Sequence, residues 1–178
     1  MLPQPFASWV SAPHFWIAVG APAVCWAVVL IAQGLGSRAV GGPPGLRWWA
    51  LATLATFVGG RWHESADALS LHLVSYVSLL YFLHAYRRTP PGPLEGGALA
   101  FFSLLICDIA HAALRLAFEP RSEHFSSAEW LVGVGGAGWG DGLLLLPVST
   151  TLVIAYARWR CRTKHSSGSS VPAQRSVA

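Results

Sequence analysis

Four ionisable residues, Asp108, His111, Arg115 and Glu119, recur through one apolar stretch of the chain. On a helix of 3.6 residues per turn, the last three all fall within about 60° of Asp108. Asp108 lies ten residues before Phe118 at the end of that stretch. At about 1.5 Å per residue it is placed about 15 Å deep, near the middle of a bilayer. Charged groups exposed to lipid at that depth are expensive, so the stripe must face other helices or a wet cavity.

Further groups can meet the stripe. Asp67 and His72 lie at the start of the preceding apolar run, and His63 and Asp67, four apart, share a face if a helix begins that early. Asp141 enters with the last apolar run. Imidazole and carboxylate together suit a divalent metal such as zinc, copper or iron, with His111, Asp108 and His72 as ligands. Histidine also titrates near neutral pH, which suits a proton relay. The competing reading is structural: Asp108 and Arg115 neutralise each other, and His111 is hydrogen-bonded between helices. No HExxH or comparable metal spacing occurs.

The glycine-rich run from Gly133 to Gly142 contains Gly138-Trp139-Gly140-Asp141. These four letters resemble the GxGD motif of the intramembrane aspartyl proteases and prepilin peptidases. The resemblance implies two membrane-embedded aspartates that share a proton and activate water, with Asp108 as partner to Asp141. The family's Pro-Ala-Leu element does not follow. Read without the resemblance, the glycines let helices approach closely.

The elements that must hold these groups follow from composition. The chain has 178 residues, 53% hydrophobic and 11% charged, with a mean hydropathy of +0.47. A soluble domain carries about 25% charge. The uncharged stretches are long, which is a membrane pattern. Five apolar runs are expected to cross: residues 14–36, 47–62, 69–86, 97–118 and 137–157. The second is short and is interrupted at Gly59-Gly60, so a re-entrant path is its alternative.

Basic residues decide the orientation. With five crossings, Arg38, Arg47, Arg87, Arg88, Arg158, Arg160, Arg162, Lys164 and Arg175 share one side, and Arg61 and Arg121 the other. By the positive-inside bias the N-terminus is expected outside and the C-terminus in the cytoplasm. Trp16, Trp62, Trp130 and Trp139 then sit at outer ends, and Trp48, Trp49 and Trp159 at inner ends, as headgroup-level anchors. The proline-glycine stretches at 41–44 and 89–93 read as turns. Ser126 with Glu129 reads as a capping box, so a helix is expected from about Ser127. The tail, residues 163–178, reads as disordered. Cys25, Cys107 and Cys161 are too scattered for a disulfide framework or thiolate zinc site.

The expected molecule is therefore an all-α polytopic bundle of the cytoplasmic (inner) membrane, spanning residues 1–162. Its outward-facing polar pocket, formed by Asp108, His111, Arg115, His72, Asp141, Asp67 and Glu119, would bind or conduct an ion, proton or small molecule. Its partners would be the bilayer and other membrane subunits or copies of itself. No nucleic-acid motif is present. An intramembrane enzyme, metal-dependent or di-aspartate, is one alternative. A purely structural or accessory subunit is another.

Overall fold

The computed structural model describes residues 4–32, 43–59, 61–65, 68–72, 92–118, 131, 134–135 and 141–167. Its framework is helical. In chain order the elements are α1 (Gln4–Ser11), α2 (Pro13–Phe15), a π-helical segment (Trp16–Gly20), α3 (Ala21–Ala32), α4 (Pro43–Gly59), strands β1 (Arg61–Ser65) and β2 (Ala68–His72), α5 (Pro93–Phe118) and α6 (Gly142–Ser167). Among the described residues, three stretches are long and apolar enough to cross a bilayer: Pro13–Ala32, Pro93–Leu114 and Gly142–Thr163. They are compatible with a membrane protein. Trp49–Gly59 is a shorter apolar helix.

The first of these stretches runs from α2 through the π-segment into α3. Pro22 explains the π-segment. A proline offers no N–H to the carbonyl four residues back, and its ring crowds that carbonyl. One wider turn just before it, closed by Ala21 N–H donating to Trp16 O, absorbs the mismatch.

The α5 start departs from the expected turn. Gly92 is the N-cap and Pro93 the first helical residue, a position where a missing N–H costs nothing. Gly96 N–H donates to Gly92 O at 2.8 Å, and Gly92 N–H donates to Glu95 Oε2 at 3.1 Å. The carboxylate thus returns to the cap residue's own N–H, as in a capping box. Pro43-Pro44 likewise opens α4 instead of forming the expected turn.

Leu69–His72, expected to open a helix, pairs instead as β2 against β1, from Arg61↔His72 to Ser65↔Ala68. His63 is therefore on a strand opposite Ser70, where a helix was expected. The reason is period: Leu69-Ser70-Leu71-His72 alternates apolar and polar, which is a strand's repeat. The rest of the expected 69–86 crossing lies outside the described residues. α6 continues through Ser167, so residues 163–167 are helical where a disordered tail was expected.

Helix directions follow from contacts. Trp49 Nε1–H donates to Leu99 O at 3.2 Å. Thr53 Oγ1 meets Ser103 Oγ at 2.8 Å. Cys107 Sγ lies 3.4 Å from Thr53 O. Partner numbers rise together, so α4 and α5 are parallel. Gly97, early on α5, packs against Thr151 and the Pro147 carbonyl in the middle of α6 and against the Trp26 ring late in α3. Farther along α5, Leu104 joins Ala18, Val19, Leu131, Val134 and Leu143 in a buried core. α3 and α6 therefore both run antiparallel to α5.

At the Asp141 end of the bundle, α1 lies over the core. Trp9 is buried and its Nε1–H donates to Val134 O at 3.1 Å. Gly135 beside it has φ +78° and faces Val19 and Ala18, a backbone conformation and a space that both require glycine.

Candidate functional site

Asp108 and Asp141 reach the same level by register. From the Gly97–Thr151 contact, eleven residues along α5 lead to Asp108 and ten back along α6 lead to Asp141. At about 1.5 Å per residue these are rises of roughly 16 and 15 Å. That register sets Asp108 and Asp141 at one level of two packed helices, and both residues are half-buried.

Asp141 has a local reason to be where it is. It is the N-cap of α6: Oδ1 accepts Leu143 N–H at 2.8 Å, and its carbonyl accepts Leu144 N–H and Leu145 N–H, each at 3.0 Å. A short acidic side chain satisfies donors that a helix start leaves open, and the helix dipole favours its charge. The sequence expectation that Asp141 lies within a helix from 137 is corrected here, since α6 begins at Gly142. Residues 136–140, including the rest of the GxGD letters, lie outside the described residues.

His111 turns away from this pair. It is buried and its ring is stacked on Phe57 of α4. The 60° offset between residues three apart is enough to send Asp108 toward α6 and His111 toward α4. The expected single stripe therefore serves two neighbours.

Arg115 lies on α5 one turn beyond His111. His72 ends β2. Asp67 and Glu119 lie outside the described residues. Among the described residues, no three His, Cys, Asp or Glu side chains gather as a metal site. Among the expected site residues, Asp108 and Asp141 share one level of adjacent helices by register.

Sequence reasoning missed the polar ladder between α4 and α5. Trp49, Thr53 and Phe57 on one helix meet Leu99, Ser103, Cys107 and His111 on the other, at steps of four. The signal was present as small and weakly polar residues at helical spacing inside apolar runs, a pattern that links helices in bilayers. It was also silent on Glu95, whose buried carboxylate caps α5.

In chemical terms, two carboxyls on adjacent helices, level with the start of α6 and so nearer the edge of the apolar layer than the mid-depth expected for Asp108, form a region of negative potential. Low-dielectric surroundings strengthen their repulsion, and a proton or cation between them relieves it. No family model, no curated protein and no solved structure matches this chain.

Proposed function

We propose that this chain is a multi-pass protein of the cytoplasmic membrane that binds or passes a proton or small cation at the α5/α6 junction. The reading is carried by the register that sets Asp108 and Asp141 at one level of two apolar helices. Ionisable groups are retained in such places at a cost, and ion or proton pathways are their commonest use. The start of α6 after a glycine-rich stretch fits the broken helices that surround many transport sites.

Helix directions support five crossings. α4 and α5 are parallel, so the chain between Gly59 and Gly92 must return to the side where α4 began. The 69–86 run, now counted from beyond His72, is the apolar stretch available for that return. With α3 and α6 antiparallel to α5, the four described helices have the directions that five alternating crossings require, with the fifth crossing between α4 and α5. The N-terminus is then outside and the C-terminus cytoplasmic.

The test is labelling with a hydrophobic carbodiimide, which attacks protonated carboxyls in apolar surroundings, read by peptide mass spectrometry. Asp108 should be modified in the membrane-inserted protein. Asp141→Asn should move the pH midpoint of that modification, because it removes a negative charge from the neighbourhood of Asp108. A midpoint indifferent to Asp141 would sink the reading.

The same apposition favours a second reading, a di-aspartate hydrolase, given the resemblance of Gly138-Trp139-Gly140-Asp141 to the GxGD motif. In that case a hydroxyl-bearing peptide analogue of the tetrahedral intermediate should bind, and lose binding in both Asp108→Asn and Asp141→Asn. An ion site has no reason to bind it.

A further inference from the structure

The last turns of α6 carry a second, separate chemistry. The helix has no acidic residue along its length. Tyr156 and Trp159 are exposed and lie 5.8 Å apart by ring centroid. Arg160 and Arg162 are exposed and Arg158 is half-buried. The Arg160 guanidinium lies over the Tyr156 ring, 5.9 Å from its centroid. Helical side chains lean toward the helix N-terminus. Here that lean carries the Arg160 charge back one turn, toward the apolar part of α6, to the level of the aromatic pair.

Neighbouring helices add to the same end. The parallel pairing of α4 with α5 brings their N-terminal turns together, and the antiparallel Gly97–Thr151 contact points the start of α5 toward the C-terminal end of α6. Arg47, exposed near the start of α4, joins this end. Among the described residues, the acidic group here is Glu95, which is buried with its carboxylate on Gly92 N–H.

On the membrane reading above, and independently of the acidic pair, we propose that Arg160 and Arg162, with Tyr156 and Trp159, bind the phosphates of anionic phospholipids in the leaflet around the end of α6. Aromatic rings with one polar edge settle at the headgroup level. Guanidinium groups at that level match phosphate with paired N–H donors. Each basic residue near an anionic surface strengthens attachment several-fold, and the gain is screened by salt.

The test titrates the detergent-purified chain with phosphatidylglycerol or phosphatidylcholine, counting bound lipid by native mass spectrometry and following the melting temperature. Phosphatidylglycerol should bind preferentially and raise the melting temperature, and 0.5 M salt should weaken both effects. R160Q/R162Q should reduce that preference about 30-fold, while R160K/R162K should keep most of it. Equal binding of the two lipids by the unaltered chain overturns the proposal, even if a variant fails to fold. So does equal stabilisation by inorganic phosphate in detergent, which would make the site one for free anions. Release of the chain from membranes by alkaline carbonate would instead overturn the membrane reading itself.

Discussion

The His111 imidazole lies nearly parallel to the Phe57 ring, with 4.5 Å between centroids and 10° between planes. This contact joins α5 to α4 at the top of the polar ladder, where the ring is buried. His111→Phe should keep the ring contact and lose the imidazole's capacity to hydrogen-bond, at a cost of about 1 kcal/mol. His111→Ala should lose both, about 2–3 kcal/mol in all. Denaturant unfolding of the reconstituted protein would rank them. Carbodiimide labelling of Asp108 should survive His111→Phe, since the two side chains face different helices. Loss of labelling would instead join His111 to the acidic site.

Lower on the ladder, Thr53 Oγ1 and Ser103 Oγ share a 2.8 Å hydrogen bond between parallel helices. Thr53 Oγ1 also donates within α4, to Trp49 O at 2.9 Å, so the interhelical bond extends a chain of polar contacts. A double-mutant cycle of Thr53→Val and Ser103→Ala should give a coupling of about 0.6 kcal/mol, the usual size for such bonds in bundles. A coupling near zero would show that small-residue packing, with Ala52 and Ala100 fully buried beside it, holds this seam alone.

Asp141 combines a local task with the proposed one, and two substitutions separate them. Asp141→Asn keeps an oxygen for Leu143 N–H and removes the charge, so stability should stay within a few tenths of a kcal/mol. Asp141→Ala removes the cap as well and should cost about 1 kcal/mol. Both should alter the pH response of Asp108 labelling equally. If only the alanine variant does so, the residue is a cap and the acidic pair has no separate role.

The sequence made the membrane character legible because charge exclusion and apolar length are properties of composition, which later packing does not change. It also made Asp108 legible, as an acidic residue inside an apolar run. It could not show that Asp108 and His111 face different helices. Three residues of spacing fix a 60° offset, but only the positions of α4 and α6 decide what that offset means. The Leu69-Ser70-Leu71-His72 alternation was readable, yet the apolar run after it pulled those residues into an expected helix. Asp141 was misplaced for a similar reason: glycines on its N-terminal side left the helix start undefined until its side chain was seen accepting Leu143 N–H.

Gly97 sets the register on which the acidic pair depends. A Cβ there would run into Thr151 Oγ1 and would lie 2.8 Å from the Trp26 ring and 3.0 Å from the Pro147 carbonyl. The ring and the hydroxyl can turn aside, but the carbonyl is backbone in the middle of α6 and cannot. Gly97→Ala should therefore push α5 and α6 apart and cost about 1–3 kcal/mol, as overpacking does. Thr151→Ala in the same chain should recover only part of that loss, because it clears the hydroxyl and leaves the carbonyl. Widening this contact should also weaken the influence of Asp141 on Asp108, which lies eleven residues farther along α5. Unfolding free energies of the single and double variants, with Asp108 labelling measured on each, check the whole chain of cause. A Gly97→Ala protein as stable as the original, with labelling unchanged, would show that the two helices do not meet at Gly97.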